Sequence, residues 1–202
     1  MNRPALFYDP INGQVNQWGG WPLSNTTPAQ IWTFQAGSDG RVNWEPQPAP
    51  TTNDGDPISP ALAGAAYVET DTAFYSLGGN LPETYSDPYI AEEGFLKFDF
   101  GANSWINSSC PCGPLSEFFV GGEGAYARNY GNSGFLVFIG GISPDTQVFH
   151  VDGTNLVDMS DIILYDIANS KWYHQQATGD IPPPRQFFCS VGVTSLEDSF
   201  EM

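Results

Sequence analysis

The sequence predicts an all-β fold made of repeated four-stranded antiparallel units. Its apolar runs are short, and each is bounded by Gly, Pro, Asn or Asp, as strands are. Aromatic residues make up 14% of the chain beside 22 Gly and 17 Pro, a composition that suits strands and turns. No long segment spaces apolar residues at helical intervals, so helix is minor. At 202 residues and 41% hydrophobic content, the chain can bury a sizeable core.

Glycine pairs mark the repeat. Gly19-Gly20, Gly78-Gly79 and Gly140-Gly141 each close an apolar run, and they recur roughly 60 residues apart. The pair Gly121-Gly122 sits in a different context and is set apart. A loop follows each marker pair, then an aromatic strand, a turn and a Trp strand. The first unit reads Ile31-Trp32-Thr33-Phe34 and then Trp44. The second reads Phe95 to Phe100 and then Trp105. The third reads Ile162 to Asp166 and then Trp172. A proline-rich connector follows each Trp strand, and a further apolar strand opens after it: Ala61 to Tyr67, Gly124 to Ala127, and Gln186 to Val193.

Four strands per unit of about 50 residues is the signature of β-propeller blades. The blades are expected over roughly 5–50, 61–110 and 122–178 within a domain spanning 1–193. Residues 186–193 are read as the innermost strand of a fourth blade, and 194–202 as a tail. A propeller ring typically needs 4–8 blades. The sequence therefore reads as part of a ring: a fragment, a truncated product, or a protomer completed by another chain. The open sheet faces of such an arc invite self-association.

The residues that carry this pattern resemble the kelch repeat, whose hallmarks are a glycine pair, then Tyr before Asp, then Trp. Gly140, Gly141, Tyr165, Asp166 and Trp172 match it best. Gly19, Gly20 and Trp44 match with no Asp after Phe34. Gly78, Gly79 and Trp105 match with Phe98-Asp99 in place of Tyr-Asp. Within that group, Ser170 to Tyr173 and Thr178 to Pro182 are similar to fungal kelch proteins, extracellular or membrane-anchored, with galactose-oxidase-like propellers. The resemblance implies an incomplete kelch-type propeller that presents loops to a protein or glycan ligand. These glycines and rings are read as scaffold, glycine for close approach and rings to fill the space between blades.

Candidate chemistry is sparse. The two histidines, His150 and His174, stand at no metal-ligand spacing from another His or Cys. Asp54-Gly55-Asp56 lacks the alternating ligands and distal Glu of a calcium loop. The pairs Glu92-Glu93 and Asp158 with Asp161 read as surface, and Gly121 to Gly124 lacks the Lys of a phosphate loop. No catalytic, cofactor or metal residue is assigned, and the leading expectation is a binding module without catalysis. The alternatives are a fragment of a galactose-oxidase-like enzyme and a product without independent function. Tentative binding residues are Phe149 and His150, in the long loop from Ile142 to Ser160, and Arg185, which precedes an innermost strand. For Phe149 and His150 the competing reading is packing on a neighbouring blade.

The formal net charge of -17, with six Lys and Arg, argues against nucleic acid or an anionic membrane as partner. Asn25 and Asn107 open glycosylation sequons, which leans toward an extracellular setting. No signal peptide or membrane span is legible. Cys110 and Cys112 are too close for an unstrained mutual disulfide, and either could pair with Cys189.

Overall fold

The computed structural model describes residues 4–20, 31–59, 62–81, 89–111, 118–150, 154–195 and 199–202. Among them there is no helix, and three four-stranded antiparallel sheets carry the fold. The first sheet is the meander β1 (Ala5–Asp9), β2 (Gln14–Trp18), β3 (Ile31–Ala36) and β4 (Val42–Gln47). The second half of the chain's regular structure opens with β5 (Ala66–Glu69), β6 (Ala73–Leu77), β7 (Asn80–Leu81) and β8 (Tyr89–Ala91). Then come β9 (Phe95–Asp99) and β10 (Ser104–Ser108), and the second sheet has the order β10-β9-β6-β5. The third sheet orders β11 (Glu123–Ala127), β12 (Phe135–Ile139), β14 (Asp161–Asp166) and β15 (Lys171–Gln176). Between its middle strands lies β13 (Val148–Phe149), which pairs with β8 in a small sheet of order β13-β8-β7. The last elements are β16 (Val193–Thr194) and β17 (Phe200–Glu201), paired with each other.

The repeated motifs explain the local geometry of the three sheets. Asp99 and Asp166 end the third strand of their sheets and organise the turn that follows. The Asp166 carboxylate accepts from the Asn169 backbone at 3.2 Å and side-chain amide at 2.7 Å. Asp99 accepts from the Ala102 backbone at 3.0 Å. These are Asx turns, in which a short carboxylate satisfies backbone donors that the turn would orphan. The first sheet, with no Asp after Phe34, closes the same turn with glycine, Gly37 donating to the Arg41 carbonyl at 2.7 Å.

The glycine pairs join the sheets to one another. Gly20 donates to the Leu62 carbonyl at 2.8 Å, Gly79 to the Phe119 carbonyl at 2.7 Å, and Gly141 to the Arg185 carbonyl at 2.8 Å. Leu62 and Phe119 lie just ahead of the next innermost strands, β5 and β11, so these pairs anchor the following unit, and Arg185 lies just ahead of the segment where the sequence predicts another. The first glycine of each pair has φ of +71°, +62° or +61°, and a Cβ at Gly19 or Gly78 would overlap the anchoring carbonyl oxygen. The anchor segment takes the place of strand where the sequence suggested one. The expected strand Ala61 to Tyr67 begins only at Ala66; Ala61 itself lies outside the described residues.

The expected inner strand Gln186 to Val193 is likewise not a strand up to Gly192. Its entry is anchored at Arg185 like the others, but among the described residues no neighbouring strand pairs with it, and a strand needs a partner for its ladder. Gly192 packs close to Ala125 and the Phe200 ring instead.

Burial concentrates between sheets. Phe7, Trp18, Phe74, Leu96, Phe100 and Trp105 form the core between the first and second, where Phe7 and Phe74 stack with centroids 4.1 Å apart. Tyr75, Leu77, Phe95, Leu136, Phe138 and Ile163 form the core between the second and third, with Tyr165 and Trp172 packed on it. Trp44 departs from the expected role. It holds the same register position as Trp105 and Trp172, yet is 48% exposed, because among the described residues no sheet lies against the face it occupies.

Candidate functional site

A cleft of about 800 Å³ lies between the first and second sheets on their outer side. Strand pairing aligns Phe7, Asn16, Thr33 and Glu45 in one row across the first sheet. Opposite lies the row Glu69, Phe74, Phe98 and Trp105 of the second sheet. Near the inner strands ring meets ring, Phe7 on Phe74, and the interface closes. Farther out, Asn16, Thr33 and Glu45 confront Phe98 and Trp105, and it opens.

The reason is one of size. Counting back from the glycine pairs, Asn16 occupies the position held by Tyr75 in the second sheet. Tyr75 is 2% exposed and fills the next interface with its ring, against Phe95 and Tyr165. A carboxamide leaves that volume empty. Thr33 Oγ1 donates to Asn16 Oδ1 at 2.7 Å, a buried bond that holds both side chains at the cleft wall. It leaves the amide hydrogens of Asn16 and the oxygen lone pairs of Thr33 as the pair's remaining hydrogen-bonding capacity.

The rims are fixed. Asn53 donates to the Trp105 carbonyl at 3.1 Å, and Thr52 bridges the same residue, so the proline-rich connector is tied to β10. At the opposite lip the Asp9 carboxylate accepts from Ile11 at 2.9 Å, and from the Asn12 backbone at 3.1 Å and side chain at 2.7 Å. That carboxylate belongs to its turn, which leaves Glu45 as the exposed carboxylate of the wall. Among the described residues no Lys, Arg or His lines the cleft.

A second, smaller cavity of about 240 Å³ lies at the inner strands, beside Pro4, Tyr67, Glu123 and Phe187. Burial pushes Glu123 up to about 6 and raises the Tyr67 phenol. Elsewhere, Lys97 beside Asp99, at 2.8 Å, holds that carboxyl below its usual range.

The tentative binding residues do not share a site. Phe149 is buried in β13 against Tyr89, with centroids 5.8 Å apart. His150 is exposed beside it. Arg185 is exposed, its Nε donating to the Pro183 carbonyl at 3.2 Å, and its own carbonyl is the third anchor. None of the three lines the cleft. Asn107 is exposed on β10, whereas Asn25 lies outside the described residues. Cys110 is disulfide-bonded and Cys189 is an exposed free thiol, so the option of a Cys189 pairing is not realised. Among the described residues no three His, Cys, Asp or Glu side chains converge on one point. The cleft residues were missed although a signal existed: Asn16 stands at the offset from the glycine pair where the two other repeats carry Tyr75 and Val137.

No family model matches the chain, and no curated protein does. Solved structures do. One, the structure of YjhT, aligns with a TM-score of 0.53 at 12% identity, over 88% of this chain and 50% of that one. The chain thus spans about half the length of that structure. At such identity the likeness bears on the fold alone. Together with three anchored four-stranded sheets, it makes this chain a β-propeller-like arc of blades.

Proposed function

We propose that the chain is a non-catalytic binding module of kelch type, and that its ligand enters the cleft between the first two blades. The observation that carries this reading is Asn16 in the position of Tyr75. Where the second and third repeats keep an apolar side chain at this offset, Tyr75 and Val137, the first places a carboxamide in the interface, and departures from a fold's own packing rule concentrate at functional sites. The rims of that cleft are tied by hydrogen bonds before any ligand arrives, which lowers the cost of binding.

This moves the expected site from the long loop to the interface. It keeps the kelch resemblance, including the likeness to fungal galactose-oxidase-like propellers, as part of the proposal. An extracellular or membrane-associated setting of the whole protein belongs to it too, supported by the disulfide at Cys110 and the exposed acceptor Asn107. No helix among the described residues is long and apolar enough to cross a membrane.

The test is capture of ligands from a mixed array of peptides and glycans by the wild-type chain and by Asn16→Tyr, which restores the ring of the neighbouring repeat. Loss of capture by a folded Asn16→Tyr is expected. Capture that this substitution leaves intact would place the site elsewhere. The rival reading, a fragment of a copper oxidase, would be established by stoichiometric copper in the purified protein.

A further inference from the structure

We infer that the ligand of this cleft is an uncharged glycan chain, an inference that rests on the cleft being the binding site proposed above. Four properties of the cleft point to that chemistry. Its described lining has no cation, while the chain carries -17, so carboxylates, sulfates and phosphates meet repulsion with no counter-charge. One exposed carboxylate, Glu45, is the wall's single strong acceptor, too few for a polycation.

The remaining polar groups are carboxamides and hydroxyls, Asn12, Asn16, Thr33, Gln47, Thr52 and Asn103 among them. Carboxamides and hydroxyls both donate and accept, which is the pattern a sugar hydroxyl presents in return. Opposite them, Phe98 and Trp105 lie with centroids 5.0 Å apart and ring planes at 34°. Trp105, 7% exposed, backs the half-buried Phe98, whose ring offers apolar surface to the C–H face of a pyranose while the opposite wall bonds its hydroxyl edge. An extended peptide is served poorly by the same wall. β2 and β3 are paired on both sides and offer no edge for strand addition, and in β4, the edge strand of that wall, Pro46 has no N–H to give a ladder. The volume, about 800 Å³, suits a short oligosaccharide rather than one ring, within the usual ~300–1,000 Å³ of small-ligand sites.

The experiment titrates the full chain with neutral hexasaccharides (gluco-, manno-, xylo- and galacto-configured) by calorimetry, with oligogalacturonate and chitosan oligomers as anionic and cationic probes. Wild type is expected to bind at least one neutral hexasaccharide. Asn16→Tyr, with an unchanged circular dichroism spectrum, is expected to weaken that binding at least tenfold. Asn16→Ala, which keeps the cleft open and removes the amide, is expected to weaken it several-fold and covers the case in which the tyrosine variant fails to fold. Absence of neutral-glycan binding at millimolar concentration, or tighter binding of either charged oligomer, overturns the inference. If a peptide is captured instead and Asn16→Tyr abolishes its capture, the site stands and the glycan assignment falls. If a neutral glycan binds and neither Asn16 variant weakens it, the site itself is wrong.

Discussion

Replacing Gly78 with Ala tests whether the glycine pairs are anchors between blades or merely turns. The control is Gly13→Ala. Gly13 has φ +64° and Gly78 has φ +62°, so both substitutions place a side chain in the left-handed region, at about 1 kcal/mol each. Their surroundings differ. A Cβ at Gly13 meets nothing within 4 Å. One at Gly78 overlaps the Phe119 carbonyl oxygen and lies 2.9 Å from its carbon, where ordinary contact begins at 3.4 Å. The carbonyl must therefore retreat, and with it goes the 2.7 Å bond from Gly79 that anchors the third blade. Losing that bond and leaving a buried carbonyl unpaired adds about 1–3 kcal/mol. Phe119, 2% exposed in the core beneath, must also shift. The expected total is about 2–4 kcal/mol for Gly78→Ala against about 1 for Gly13→Ala. In a chain of this size that is a fall in Tm of about 4–16 °C against about 2–4 °C. Thermal and urea unfolding followed by circular dichroism measure both. Equal losses, within about 0.5 kcal/mol, would refute the anchoring role.

Three further outcomes follow from the same structure. Glu123 is pushed up to about 6 by burial, so the unfolded chain ionises first as pH rises. Its contribution is therefore intact below the ordinary glutamate range and is lost as pH climbs through about 6. Glu123→Gln should flatten stability across that window and melt higher than wild type at pH 7; an unchanged pH profile of unfolding would contradict it. The uncovered face of the first blade presents Leu6 at 63%, Tyr8 at 48% and Trp44 at 48% exposure, and no charged residue shares their strand positions. Concentration-dependent association by sedimentation is expected, reduced in Leu6→Lys with Trp44→Ser while the melt moves little, and a strictly monomeric wild type would contradict this reading. A thiol reagent should label Cys189 in the native protein and spare Cys110 until reduction, as peptide mass mapping would show.

What the sequence revealed and what it concealed divide along a physical line. The glycine pairs, the Asp of the Tyr/Phe-Asp motif and the turns are legible because each answers a local backbone demand: a positive φ or an orphaned donor. Those demands repeat with the chain, and so the three blades could be read from spacing. The cleft answers no local demand. It arises because β2 and β3 of one sheet face β9 and β10 of the next, and only the folded chain shows that Asn16, legible by its offset as the counterpart of Tyr75, confronts Phe98 and Trp105. Trp44 misleads for a related reason. Its motif position is that of Trp105, but burial depends on a neighbouring sheet that the residue itself cannot specify. Phe149 was caught between two readings, and its apolar character in a long loop is explained by packing: β13 pairs with β8 and buries the ring.

The anchors also give the blade order a direction. Gly121 donates to the Gly64 carbonyl at 2.6 Å, and Phe187 donates to the Gly121 carbonyl at 2.7 Å, so a backbone chain runs from one blade entry to the next. At the first two entries glycine holds φ at +64° and +71°; at the third, Phe187 holds +53°. A bulky residue in that region is strained by about 1–3 kcal/mol, and such strain persists only where surroundings over-determine it. Here they do. The Phe187 ring packs over Gly64 and Gly121, whose own Cβ positions it would crowd, and Gly140-Gly141 grips the chain two residues earlier. The entry to a fourth sheet is thus built to the same plan as the two before it, although Cys189 to Gly192 has no strand to pair with. Entry geometry is set by the preceding blade, and strand formation by the following one. That separation is why the repeat can be anchored at a boundary where its sheet is not formed, and why each added blade is specified by the one before it.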